Sequence, residues 1–202
     1  MEGSDEMKSK ILENKSIKIK KLHDAAYELF TSIGVHNTKI DDIVKNAGVA
    51  KGTFYLYFKD KYDLVDKIII KKATVLIQNA LQAVAEKQKA GQDDFSNNVI
   101  TFADYFVEFF KDNQKLLALI YKNLSWDLYQ KAMENQEMGG AVKTFIQHFN
   151  THGTDTETAE RRLFIIVSMV GAVCYNSIVL ETPFGIDSMK PELYRSIARI
   201  IA

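Results

Sequence analysis

The sequence predicts an all-α fold: an N-terminal three-helix unit containing a helix-turn-helix, joined by a long helix to a larger C-terminal helical unit. Three observations predict it. The 202 residues hold only two prolines, Pro183 and Pro191, so most of the chain is interrupted by nothing stronger than glycine and polar clusters. Apolar residues recur at intervals of three and four, the helical period. Glycines stand where those stripes stop. A composition of 47% hydrophobic and 26% charged residues excludes disordered and fibrous classes.

The elements follow in order. Leu22, Ala26, Leu29 and Ile33, with Ala25 and Phe30 beside them, form the stripe of a first helix ending at Gly34. Val65, Ile69, Ala73, Leu76, Ala80 and Val84 repeat it in a long helix closed by Gly91. Phe95, Val99, Phe102, Phe106 and Phe109 make another, capped by Asp93 or Asp94. Shorter helices are expected at 114–124, 126–138 and 141–149, with Gly139 and Gly140 as the break. The stretch 154–182 opens with Thr/Asp capping chemistry and is apolar all round, which predicts burial on most faces. Pro191 fits the first turn of a last helix ending at Ala202.

Between the first and the long helix, Thr38 and Asp41 have capping-box spacing, and Ile40, Ile43, Val44 and Ala47 give a short helix one apolar face. Gly48 ends it, Val49 plugs the turn, and a second short helix starts near Ala50; Phe54 and Phe58 are expected in the core. Two helices joined by a tight glycine-containing turn have the geometry that lays the second in a DNA major groove. Charge agrees: Lys15 to Lys61 holds nine lysines against five carboxylates, a net +4 inside a chain of net charge zero. Such a basic island is an electrostatic footprint for phosphate. If Asp60 caps the long helix, Lys61 sits in its first turn, opposing the helix dipole unless an anion lies nearby.

These residues resemble the TetR family of bacterial one-component transcriptional regulators. The resemblance is carried by Thr38, Ile43, Ala47-Gly48-Val49, Gly52-Thr53, Tyr55-Leu56-Tyr57-Phe58, Lys61 and Leu64, preceded by Ala25-Ala26 and Leu29-Phe30; Ala50, where many members have serine, and Val44 depart from the pattern. It implies a DNA-binding region at 1–62 and an effector-binding and dimerisation region at 63–202. By position it assigns Ala50, Lys51, Gly52, Thr53 and Tyr55 to the recognition helix and Thr38, Lys39, Tyr57 and Lys61 to backbone clamping. For Tyr55 and Tyr57, packing within the small unit is the competing role.

The C-terminal region is rich in aromatics. Ordinary core packing accounts for any one of them. Together with the resemblance, Phe102, Tyr105, Phe106, Phe109, Tyr121, Trp126, Tyr129 and Tyr175 form a candidate pocket for an apolar or aromatic small-molecule effector, a cation being compatible with the ring faces. The resemblance also implies a homodimer through the last two helices, with Ser168, Gly171, Ala172 and Ile197 as interface candidates, as a two-fold operator requires.

Other classes find less support. Cys174 is the sole cysteine, which excludes an internal disulfide and suits a reducing compartment, and the acidic start MEGSDEMKSK has no apolar export segment, so a cytoplasmic location is expected. The uncharged run Leu163–Leu180 is at the short end for a membrane span, and burial is the expectation, with no membrane partner. His148 and His152 share a helical spacing but have no third ligand, and no nucleophile elbow or phosphate loop occurs, so neither metal, cofactor nor catalysis is expected. The resulting expectation is a ligand-responsive regulator, a repressor bound to double-stranded operator DNA. The alternative is a DNA-bound regulator of another process whose helical region holds a protein partner.

Overall fold

The computed structural model describes residues 2–89, 91, 94–151 and 153–202, and every regular element among them is helical. They run α1 Glu2–Ser32, α2 Ile40–Ala47, α3 Lys51–Tyr55, α4 Lys61–Lys89, α5 Phe95–Asp112, α6 Gln114–Asn123, α7 Trp126–Glu134, α8 Gln136–Thr151, α9 Thr156–Cys174 and α10 Ile186–Ile201. A π-helical turn, Tyr175–Val179, continues α9. The chain divides into two compact units, the first ending at Ile69 and the second Ile70–Ala202, so the division falls within α4, several residues beyond the expected boundary at 62.

In the first unit α1 packs on α2 and α2 on α3. Its core is the predicted stripe, with Leu22, Ala26, Ile43, Phe54 and Leu64 fully buried and Phe30 and Phe58 nearly so. Gly48 takes φ +64°, a conformation costly for a side chain with a Cβ, and Gly48 and Val49 return their N–H groups to the last carbonyls of α2. Asp60 caps α4, its Oδ1 accepting from the Tyr62 and Asp63 amides at 2.8 Å each.

In the second unit α5 packs on α6, α9 and α10, α7 on α8, and α8 on α9. Asp94 caps α5 by accepting from the Asn97 amide at 2.9 Å, while Asp93 and His152 lie outside the described residues. Asp155 caps α9 by accepting from the Thr158 amide at 2.9 Å. Two expectations about boundaries are corrected. The break between α7 and α8 falls at Asn135, whose Oδ1 caps the new helix at Met138 N, and Gly139 and Gly140 lie inside α8. Gly139 serves close packing: a Cβ there would stand 2.7 Å from the Met133 carbonyl oxygen. The last helix begins at Ile186, five residues before Pro191, which therefore sits inside α10. Burial of Ile186 and a hydrogen bond from Ser188 Oγ to the Gly185 carbonyl (2.8 Å) anchor that earlier start.

The α5–α10 contact carries an ionic network, which the aromatic stripe of α5 concealed. Lys190 pairs with Asp104 (2.7 Å) and Glu108, Lys111 with Glu108 (3.0 Å) and Asp187 (2.7 Å), and the Tyr194 hydroxyl donates to Asp104. Burial alone would raise the Asp104 carboxyl, but the hydrogen bonds from Lys190 and Tyr194 and the lysine charge outweigh it and hold it low. Glu108 is held low by Lys190 and Lys111, and Asp187 by Lys111. Carboxyls depressed on folding contribute stability that is present above their unfolded values, about 4, and lost as pH falls through the lower folded values. The thermal midpoint of the wild-type chain should therefore fall more steeply between about pH 5 and 3 than that of Lys190→Met, which removes the principal cation. Parallel melting curves against pH would refute the assignment.

The expected burial of α9 on most faces is not found in the single chain. Ala159, Ile166, Val170 and Cys174 are buried, but Ile165 is 50% and Val167 38% exposed. By length and composition alone, Lys61–Lys89 and Thr156–Val179 are long and apolar enough to cross a membrane.

Candidate nucleic-acid interface

The surface of α2, its turn and α3 is built by local rules. Five residues form α3, and its one fully buried side chain, Phe54, fixes which face turns inward. Lys39, before α2, and Ala50, Lys51, Gly52 and Tyr55, around α3, are exposed, and Thr53 is partly so. Tyr55 is 54% exposed with its ring edge-on to Phe54 (5.4 Å), so it packs at its base and presents its hydroxyl end. Tyr57 is half-buried against Phe58, and the Lys15 ammonium lies 5.9 Å from the centre of its ring.

Gly52 is the most informative position in α3. A Cβ built there meets nothing within 4 Å, and its φ is not in the left-handed region. Nothing in the fold of this chain requires glycine inside that helix, where alanine would be more stable by about 0.5–1 kcal/mol. The missing side chain leaves room for something from outside.

Three predicted residues are engaged in ways the sequence pattern did not disclose. Thr38 is 1% exposed and forms no capping box: its hydroxyl donates to the Gly34 carbonyl at 2.8 Å, and α2 starts after Lys39 without a side-chain cap. That hydroxyl braces the α1–α2 turn rather than facing solvent. The Lys61 ammonium turns back from the start of α4 to the carbonyls of His36 (2.6 Å) and Thr38 (2.9 Å), so it satisfies two loop acceptors. This resolves the conflict with the helix dipole without any external anion. Lys51, at the first position of α3, pairs with Asp41 of α2 at 2.7 Å; this hydrogen bond holds its pKa up. The spacing of Asp41 from Thr38 signals capping alone and not this ion pair.

The candidate effector residues separate into three groups. Phe102 and Phe106 pack at 5.0 Å along α5, with Phe109 and Phe106 each edge-on to the buried Phe110, and Tyr105 is half-buried on the same helix. Tyr121 of α6 stacks on Tyr175 at 4.4 Å, where the π-helical turn presents it. Trp126 stacks on Tyr129 at 5.2 Å, and Phe164 of α9 stands edge-on to both. Among the described residues no ring contact joins one group to another. A cleft of about 540 Å³ is lined instead by Lys111, Gln114, Ser177, Ile178, Glu181, Gly185, Ile186 and Asp187 and includes none of the eight aromatics.

Tyr129 alone among the described residues has a buried side-chain oxygen with no hydrogen-bond partner. Burial raises its pKa, with Glu160 adding to the effect. A buried polar atom left unpaired costs about 1–3 kcal/mol. Tyr129→Phe should therefore leave the free chain as stable or up to about 1 kcal/mol more stable. A lowered thermal midpoint would mean that the hydroxyl has a partner after all.

The interface candidates divide as well. Ser168 and Ala172 share an incompletely covered stripe of α9 with Ile165, at intervals of three and four. Gly171 instead faces Tyr121, whose Cδ2 would lie 3.8 Å from a Cβ. Ile197 is fully buried within the chain, which corrects its assignment to a surface between subunits: the apolar face of α10 is consumed by α5 and α9. Cys174 is buried too, and desolvation pushes its thiol up to about 12, so it is not poised as a thiolate.

Residues 22–68 match the family model of bacterial regulatory proteins, tetR family. The fatty acid metabolism regulator protein of Bacillus subtilis (strain 168) is 35% identical over 79 residues, 39% of this chain and 41% of that relative. The match thus spans less than half of that protein. An uncharacterized HTH-type transcriptional regulator, YvdT of the same organism, is 25% identical over 189 residues, 90% of this chain and 94% of its own. Among solved structures, FadR from Bacillus subtilis in complex with stearoyl-CoA aligns with a TM-score of 0.64 at 17% identity, covering 89% of this chain and 97% of that one. FadR from Thermus thermophilus, a transcriptional repressor in complex with lauroyl-CoA, aligns at 0.61 and 16% identity, covering 91% and 92%. At these identities the structures share the fold.

Proposed function

The chain belongs to the TetR family of bacterial transcriptional regulators, DNA-binding proteins with a helix-turn-helix, and from that premise we propose that it is a cytoplasmic, non-enzymatic repressor. In this reading it binds a palindromic operator as a homodimer and is released by a small effector with a large apolar part. The observation that carries the reading is the exposed surface of α3, with Lys51, Thr53 and Tyr55 grouped around a glycine that the fold does not need. Backbone approach at Gly52 would bring Thr53 and Lys51 to base edges, while Lys39 and Tyr57 meet phosphates. Effector binding would shift α4, the helix that runs from Lys61 to Lys89, and so change the spacing of two recognition helices that must lie about one DNA turn apart.

The effector class is read from the rings of α5, α6 and α7, which stand in three separate groups in the free chain. It also draws support from the acyl-CoA complexes of two proteins of the same fold. The test is to select duplexes from a random library, then titrate the complex with stearoyl-CoA, lauroyl-CoA, free fatty acids and small polar anions. Release by an acyl or other apolar compound, with a change in Trp126 fluorescence, is the expected result. Release by polar anions alone would overturn the effector reading.

The dimer proposal is supported by the incompletely covered stripe of α9 around the exposed Ile165, which a second copy would cover. Ile165→Asp should place a charge in that interface at a cost of several kcal/mol, converting a dimer into a monomer at micromolar concentration while leaving helix content unchanged. Sedimentation of wild type as a monomer, or of Ile165→Asp as an undiminished dimer, would refute it.

A further inference from the structure

Among the described side chains of α1 the first buried one is Leu22, yet the helix is continuous from Glu2. Over residues 10–21 every described side chain is exposed except Ile19, which is half-buried. This stretch holds Lys10, Lys15, Lys18, Lys20 and Lys21 against Glu13, a net +4. It also precedes the region that matches the family model, which begins at residue 22. The packed part of α1 explains why the arm can be helical, since propagation from an existing helix avoids the cost of nucleation. Among its described side chains, the half-buried Ile19 and the contact of Lys15 with Tyr57 are too little to explain why it is there.

Its facing does. The buried stripe of α1 runs Phe30, Ala26, Leu22, and at the same helical intervals continues through Ile19 to Lys15. The stripe therefore changes from apolar to basic where α1 passes the edge of the helix-turn-helix. Lys15 reaches the ring of Tyr57, and Lys18 lies one turn along on the same side. Among the described residues neither lysine has a carboxylate partner, in contrast to Lys51.

We propose that residues 10–21 form a second DNA contact, a basic helical arm whose Lys15 and Lys18 follow duplex phosphates flanking the site read by α3. The proposal rests on the DNA-binding reading above and extends the contact beyond the helix-turn-helix. The occupant is duplex DNA because the basic face adjoins Tyr57, on the surface assigned to DNA, and its charge is complementary to phosphate. Twelve helical residues span about 18 Å, enough to track roughly half a turn of duplex beyond the recognition helix.

The experiment uses the full chain and a fluorescent mixed-sequence duplex of about 30 base pairs, with affinity measured from about 50 to 200 mM salt. K15A/K18A should flatten the plot of log affinity against log salt by about 1.5–2 units per bound protomer, about twice that for a bound dimer, and K15R/K18R should restore it, because each phosphate contact contributes about 0.9. K20A, about 140° around the helix from Lys15, should leave the slope unchanged. An unchanged slope in K15A/K18A overturns the proposal. Loss by K20A equal to that of K15A alone also overturns it, since only overall charge would then matter. So does loss of binding to phosphatidylglycerol vesicles with duplex binding intact, which would make the arm a membrane-surface helix. Failure of the wild-type chain to bind duplex even at low salt overturns the DNA-binding reading itself, and the arm proposal with it.

Discussion

Phe54→Ala should destabilise the N-terminal unit by about 3–5 kcal/mol, the usual cost of emptying a fully buried phenylalanine site. Phe54 is the only buried side chain of α3, and it packs on Phe58 at 5.5 Å. Helix α3 has five residues, too few to persist without packing. The loss should thus appear as melting of the recognition surface and abolition of duplex binding, while helix content contributed by the second unit survives. Differential melting followed by far-ultraviolet circular dichroism and duplex anisotropy is the measurement. Full duplex affinity in Phe54→Ala would show that the face of α3 is held by something other than its core contact.

Two residues earlier, the opposite outcome is expected. Gly52→Ala should raise stability by about 0.5–1 kcal/mol, because alanine is the better helix former and its Cβ enters open space. The same methyl would stand where DNA must approach, displacing the contacts of Lys51 and Thr53. Good base contacts are worth about 1–3 kcal/mol each, so duplex affinity should drop roughly 10- to 100-fold. A thermal melt and a binding isotherm on one preparation decide it. Undiminished affinity in Gly52→Ala would mean that α3 does not approach DNA through this face.

The two substitutions also mark where the sequence was legible. The helix-turn-helix is written in short-range rules: an apolar face over Ile43, Val44 and Ala47, a left-handed glycine at 48, a phenylalanine pair at 54 and 58. Such features are local, so periodicity and turn chemistry suffice. The C-terminal unit depends on pairings far apart in the chain. Asp104, Glu108 and Lys111 stand four and three residues apart, a visible charged face on α5, yet nothing local says that Lys190 and Asp187 answer it. Aromatic density likewise gave the inventory of rings but not their partners, and Tyr121 found Tyr175 while Trp126 found Tyr129. Gly139 misled because close packing and helix termination call for the same residue. Asp41 was missed as the partner of Lys51 although a ten-residue separation across a tight turn brings the two starts of α2 and α3 within reach.

That Lys51–Asp41 pair bears on how a regulator of this kind would search a chromosome. Both side chains are more than half exposed, so solvent screens the pair, which contributes little to stability and is easily exchanged. If α3 reads DNA as proposed, the lysine would keep its own carboxylate on random sequence, where Asp41 would also repel the passing phosphates. At a site that presents a guanine edge the lysine would change partners. The carboxylate would thereby widen the gap between right and wrong sequences by weakening the wrong ones, without any tighter grip on the target itself.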